Sequence, residues 1–397
     1  DGGHLDLFEC DPTALEPTKP SVSLLPTYNT FNFFKVGDTS YHQVREVLSR
    51  SGRTSISGWF KGPPFNYTPK PPSFFNPQAY WSLPPLSDSQ EMKLTSQEKK
   101  ELTKWISPVY LKEENMKGVN EKIMEEGSVF LQNILLPGVY EGVLREFRFL
   151  ELVKKEKGGE KKKKKRPKTI RQRSEELKKG EEEARGGNKG PTLPGEDNFV
   201  HWDEVGPANR RHYYRLKGID KGEIVDNDGK KKETEEKEPE DTSGKETILS
   251  LFSFLRSSAF SSYLRSLSGL ELVKGEGEVR RFGHGCYTLM NDDDPTSNKE
   301  SLDVYFTFVG NEEWEEDHGG WVSYIAKDEE DGELLTVTPI PNSMAIVFRD
   351  TGCLKFVKYL NRNAPASLFD ISMTFSEAEG EGNEESDEES DEERDKE

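Results

Sequence analysis

Toward its two ends this chain repeats itself. Gly2-Gly3 is matched by Gly319-Gly320, and Pro26-Thr27-Tyr28-Asn29-Thr30-Phe31 by Pro339-Ile340-Pro341-Asn342-Ser343-Met344. Val44 falls on Val357 and Ile56-Ser57 on Ile371-Ser372, at separations of 317, 313, 313 and 315 residues in order. Near-constant separations mean that one structural plan is used twice with small loop differences. Local pattern says what the plan is made of. Gly2–Phe8 alternates, His42-Gln43-Val44 follows the Gly37–Ser40 turn, and Asn29–Phe34 and Arg53–Phe60 are short, aromatic and bounded by turn residues. All read as strands. From Val279 to Phe375 short alternating runs are again separated by turns. The expectation is a mainly β chain with flanking helices, of the α+β class, holding two copies of one β-fold. The first copy matches only the second half of the other, so its front half is expected ahead of Asp1.

The repeat also separates ordinary residues from special ones. A histidine beside an aromatic strand is usually structural, and an arginine opening a strand is usually a surface residue. An arginine at the mouth of a buried-looking strand nevertheless needs an anion or a carboxylate to face. His42 falls on Lys355 and Arg53 on Leu368, so both vanish together from the sister copy. A shared structural role gives no reason for that, whereas a ligand site lost from a degenerate copy does. His42 and Arg53 are the candidate site residues.

Between the copies the chain changes material several times. Residues 9–20 read as a loop, and 62–85 as a Pro- and aromatic-rich stretch wrapping a surface rather than forming a regular element. Thr95-Ser96-Gln97-Glu98 is a capping box with Leu102 and Trp105 behind it. A helix over Glu113–Glu125 presents Met116, Val119 and Ile123, and Val129–Leu136 continues the helical connector until Pro137 stops it. Ile248–Leu267 reads as one amphipathic helix, with Leu251, Leu255, Tyr263 and Leu267 near one face and Gly269 beyond its end. The resulting division is 1–62, second half of the first β domain; 63–100, linker; 101–153, connector helices; 154–196, charged insertion; 197–247, connector with a charged loop; 248–376, second β domain; 377–397, acidic tail.

Charge is distributed by segment. Of the net −19, residues 377–397 contribute thirteen acidic groups against Arg394 and Lys396. With 32% hydrophobic residues overall, the 154–196 insertion and the tail have too little to bury and read as disordered. Lys161–Lys168, KKKKKRPK, has the form of a nuclear-import or nucleic-acid patch and equally that of a solvated charge run. Ser386 and Ser390 are acid-flanked phosphate acceptors in form. Cys10, Cys286 and Cys353 are scattered without CxxC spacing, which argues against a disulfide scaffold or zinc and for a reducing compartment. No apolar run is long enough to span a membrane.

The blocks SYHQV and GRTSISGWF, with HGCYTLMNDDD and GGWVSYIAK in the second copy, resemble the 2-oxoglutarate- and iron(II)-dependent prolyl hydroxylases that modify a small-subunit ribosomal protein. That resemblance covers the chain apart from the insertions and tail. It implies two double-stranded β-helix (jelly-roll) domains, the first catalytic and here incomplete at its N-terminus, and the second non-catalytic. It implies Fe(II) held by two histidines and a carboxylate, 2-oxoglutarate and O2 as cosubstrates, and ascorbate as a helper. His42 is then the distal iron ligand, Arg53 grips the far carboxylate of 2-oxoglutarate, and Ser55 assists it. Links to translation termination, to mRNA-associated proteins or RNA, and a cytoplasmic and nuclear location are implied as well.

His4-Leu5-Asp6 has the His-x-Asp form of such a metal motif, but the repeat sets it one strand too late. The cognate in the second copy is Asn291-Asp292-Asp293, 28 residues before Gly319. The same spacing sets the true motif about 26 residues before Asp1, by the repeat argument. Residues 1–397 are therefore expected to hold one iron ligand of three and to be inactive alone. The competing reading is a protein or RNA docking module built on the second domain, its basic insertion and its tail.

Overall fold

The computed structural model describes residues 2–37, 39–48, 52–60, 62, 79–84, 93–152, 199–219, 248–289, 299–310, 314–326 and 332–377. Asn291–Asp293, the basic insertion, the acidic tail with Ser386 and Ser390, and most of the 197–247 charged loop lie outside them.

The N-terminal copy forms a small antiparallel sheet of β1 (Leu5–Cys10), β2 (Pro17–Leu24) and β3 (His42–Val44), in the order β2-β1-β3. The expected loop over 9–20 is shorter than the sequence suggests. β1 runs to Cys10, and β2 begins at Pro17 and carries Pro20 through ladder irregularities, which an outer strand tolerates. Asn29–Phe34 and Arg53–Phe60, expected as strands, join no sheet among the described residues. Phe31, Phe33, Ile56, Trp59 and Phe60 stand largely exposed.

In the C-terminal copy the counterparts of those two segments are strands because they have neighbours. β5 (Ser128–Gln132), β13 (Ser343–Arg349), β10 (Ser301–Phe308), β15 (Leu368–Glu377), β8 (Leu272–Phe282), β7 (Arg211–Leu216) and β6 (Trp202–Val205) run side by side in one antiparallel sheet. β4 (Ala79–Ser82) pairs with β8, so the Pro-rich stretch does supply a regular element. β9 (Tyr287–Thr288) pairs with β7. Facing this sheet is a smaller one, β11 (Val322–Ala326) between β12 (Glu333–Val337) and β14 (Cys353–Val357). Two antiparallel sheets closed on one interior give the jelly-roll architecture.

Sequence alternation explains the layers. In β10, Leu302, Val304, Phe306 and Phe308 face one way, and Ser301, Asp303, Tyr305 and Thr307 the other. The apolar side meets helices. Phe306 contacts Phe260 of α5 (Ser258–Ser268), and Phe308 packs on Tyr140 and Phe147 of α3 (Pro137–Leu152). The polar side faces the small sheet, so the barrel interior is lined by hydroxyls and charges. Both faces are covered, and every residue of β10 is buried.

The connector differs from expectation at a proline. Ser128–Gln132 is the edge strand β5 on β13, and Pro137 starts α3 rather than stopping a helix. A proline at the first helical position loses no hydrogen bond, because that N–H has no intrahelical acceptor. α1 (Ser96–Leu102) is capped by Thr95 with Glu98 as its reciprocal partner, and α2 spans Glu113–Glu126. The 248–267 helix is two, α4 (Ile248–Leu255) and α5, broken where the Ser257 side chain caps Phe260 N–H. Gly269 closes α5 with a left-handed φ of 74°.

The repeat is present in detail. β2-β1-β3 and β12-β11-β14 have the same order and sense, with Leu5 between Leu24 and Val44 as Val322 lies between Val337 and Val357. Asn29 and Asn342 share a left-handed φ, 54° and 51°. Thr30 Oγ1 donates to Thr27 O at 3.0 Å, and Ser343 Oγ donates to Ile340 O at 2.8 Å.

Candidate functional site and its counterpart

His42 opens β3 directly across from Leu7, as Lys355 lies across from Tyr324. Its Nδ1 lies 3.0 Å from Ser40 O, and the Phe34 ring packs edge-on against it with ring centroids 5.0 Å apart. A carbonyl can only accept, so Nδ1 carries the proton and Nε2 keeps its lone pair for a metal. The imidazole is exposed.

Arg53 is half-buried, and its Nε is buried without a hydrogen-bond partner. Its Cδ lies 3.1 Å from where a Cβ on Gly3 would be, and Leu368 Cδ2 lies 3.4 Å from the same point on Gly320. Arg53 and Leu368 therefore occupy one position in the two barrels. Gly2 and Gly319 are obligatory there: both have φ near +80°, and a Cβ would fall on Glu46 O and Tyr359 O respectively. Ser55 is exposed.

His4 and Asp6 lie on the other side of the sheet. Leu7 pairs with His42 on one face and Asp6 with Gln43 on the opposite one, with His4 on the Asp6 side. Asp6 is buried and receives Arg45 Nε at 2.6 Å and Gln43 Nε2 at 3.0 Å. Burial pushes its carboxyl up, but hydrogen bonds from Arg45, Gln43 and Ser23 together with the Arg45 charge outweigh it and hold the group below its usual range. The geometry fits a structural ion pair.

At the His42 position the second barrel puts an ammonium. Lys355 Nζ lies 2.9 and 3.0 Å from the two oxygens of Asp303, which sits on the polar face of β10. Asp303 also accepts from Thr374 Oγ1 at 2.6 Å, Tyr324 OH at 3.1 Å and Arg349 Nε at 3.3 Å. Burial alone would raise this carboxyl; the charges of Lys355 and Arg349 outweigh burial and lower it to about 2. The same carboxylate raises Lys355 against the opposing effect of its own burial. A cavity of about 110 Å³ adjoins the cluster, lined in part by Lys355, Arg349, Arg280, Glu276 and Thr374. Arg280 is held on Asp370 by two bonds of 2.8 and 2.6 Å. A protonated lysine cannot ligate iron, so this centre fits an internal ion cluster and not a metal.

Among the described residues, the metal-capable cluster of three or more groups is Glu315, Asp317 and His318. It belongs to the turn before Gly319, where His318 Nδ1 accepts from Glu315 N at 3.0 Å. Sequence reading missed Asp303. The signal was an acid inside the otherwise apolar and hydroxylated strand SLDVYFTF.

The chain matches two family models. Residues 1–61 match the 2OG-Fe(II) oxygenase superfamily, and residues 97–384 match the family described as oxoglutarate and iron-dependent oxygenase degradation C-term. The chain belongs to this oxygenase family. Within it, the chain is 29% identical over 395 residues to prolyl 3-hydroxylase OGFOD1 of Mus musculus, covering 91% of this chain and 63% of that protein. It is 28% identical to the Xenopus laevis protein of the same name, over 92% and 61%. Prolyl 3,4-dihydroxylase OGFOD1 of Ostreococcus tauri is 26% identical over 95% and 69%. The chain thus spans about three fifths of the length of the mouse and frog relatives. Among solved structures, a Trichoplax adhaerens prolyl hydroxylase in complex with a hypoxia inducible factor oxygen degradation domain peptide fragment aligns at 13% identity. Its TM-score is 0.37, over 72% of this chain and 94% of that one.

Proposed function

We propose that the protein carrying this chain is an Fe(II)- and 2-oxoglutarate-dependent prolyl hydroxylase in which His42 is the distal iron ligand and Arg53 binds the oxoacid. The observation behind this reading is the paired replacement of His42 by Lys355 and of Arg53 by Leu368 on a retained backbone frame. When bound, the iron supplies oxidation of an unactivated C–H by O2 at the expense of 2-oxoglutarate. The chain's own residues hold and orient. His42 offers Nε2 while the Ser40 carbonyl fixes its tautomer. Arg53 offers a guanidinium fork with an unsatisfied Nε, which suits a carboxylate better than a lysine's point charge. Ser55 of Arg-x-Ser supports the same carboxylate. The other two iron ligands, a His-x-Asp, belong to residues ahead of Asp1 in this reading.

The substrate in this reading is a prolyl residue of a small-subunit ribosomal protein, with ascorbate as auxiliary reductant, a link to translation, and a cytoplasmic and nuclear location. The second barrel, its centre closed by Lys355 and Asp303, serves docking rather than chemistry. Succinate formation from 2-oxoglutarate with a prolyl peptide tests the reading. The longer protein is expected to turn over and residues 1–397 alone are not. Turnover by the isolated 397 residues would refute the ligand assignment.

A further inference from the structure

Hydrogen bonds joining the half-barrel to the second barrel gather on one carboxylate, Glu46, four positions after His42 on the continuation of β3. His284 Nε2 lies 2.7 Å from Glu46 Oε2, Tyr359 OH donates to it at 3.3 Å, and Arg362 N–H donates to Oε1 at 3.4 Å. The Arg362 guanidinium also donates to Leu48 O, two residues further on. All three Glu46 partners belong to loops of the second barrel, and the carboxylate is mostly buried among them.

The contact is quasi-symmetric. Glu46 and Tyr359 are counterparts in the repeat, since each backbone carbonyl lies against the first glycine of its own pair, Gly2 or Gly319. The two barrels therefore meet through the same turn of each. On the half-barrel side the turn is an extension of the His42 strand, tied to β1 by the Arg45 and Gln43 side chains on Asp6 and by backbone bonds from Arg45 N–H to His4 O at 2.9 Å and from Gly3 N–H to Glu46 O at 2.8 Å. β3 itself has only three residues. A strand that short has few ladder bonds to fix its direction, so an anchor at its end adds to the Asp6 contacts in setting where its first side chain points.

We propose that Glu46 is a positioning residue through which the second barrel sets the strand that carries His42. This rests on the hydroxylase reading for its functional consequence, though not for the contact itself. The second barrel then does more than dock a partner: its His284, Tyr359 and Arg362 complete the support of a metal ligand in the other barrel. Loss of the anchor leaves His42 present but badly aimed, which weakens iron retention before it slows chemistry.

Two measurements test the proposal. In the 397-residue chain, amide exchange of Arg45 is expected to quicken about tenfold in Glu46→Ala and in His284→Ala, with no further gain in the double variant. Glu46→Gln, whose single amide oxygen can accept from Tyr359 or from Arg362 but not from both, is expected to fall between. In the longer protein, Glu46→Ala and His284→Ala are each expected to raise half-saturating Fe(II) about fivefold with kcat nearly unchanged. Unchanged Arg45 exchange, additive single effects, or a loss of kcat with Fe(II) saturation unmoved overturns the proposal. If the unsubstituted longer protein forms no succinate, the hydroxylase reading falls, and the exchange arm still decides whether the anchor exists.

Discussion

One carboxylate, Asp303, carries the centre of the second barrel. It is ion-paired with both Lys355 and Arg349 and is itself fully buried. Asp303→Asn removes the carboxylate that faces buried Arg349 and half-buried Lys355 and is expected to cost about 3–5 kcal/mol. Lys355→Met removes one cation and leaves Arg349 on Asp303, so it is expected to cost less. Chemical denaturation of both variants checks the order. The pH dependence follows from the depressed carboxyl. Its folded value of about 2 lies below the reference 3.8, so its stabilisation is complete above pH 4 and disappears as pH falls toward 2. The wild-type chain is expected to lose about 2 kcal/mol more than Asp303→Asn over that window. Parallel pH profiles for the two would contradict the assignment.

At the scale of elements, local signals were legible wherever a single residue type has one use. The Thr95–Glu98 capping box, Gly269 after α5 and the turn before β3 all stand where the chain says they should. Pro137 misleads because proline both ends and begins helices, and only the pairing of Ser128–Gln132 with β13 decides between them. Ser257 likewise splits a continuous amphipathic pattern through a hydrogen bond that periodicity does not register. Asn29–Phe34 and Arg53–Phe60 have strand composition without strand partners. A strand is a property of a ladder, and β13 and β15 owe theirs to β10 and β8. β10 is the reciprocal case, sheet-paired on both edges and covered on both faces. Phe306→Ala there is expected to cost about 3–5 kcal/mol, against less than about 1 for Phe33→Ala on the exposed segment, by thermal melting.

Across the whole molecule, the repeat was the most legible feature, because strand register preserves spacing even where side chains diverge. It set His42 opposite Lys355 and Arg53 opposite Leu368 without any coordinates. The Asp303 cluster and the Glu46 anchor were not legible. Both join residues between 46 and 374 that share no local pattern, and folding alone brings them together. The decisive measurement is the visible charge-transfer band that Fe(II) and 2-oxoglutarate give when both occupy one site, recorded without O2 in the longer protein. The account predicts the band in the unsubstituted protein, its loss in His42→Ala, and at least a tenfold higher 2-oxoglutarate requirement in Arg53→Lys, roughly the worth of one charge-assisted bond. A band that survives His42→Ala at the same oxoacid concentration would contradict it.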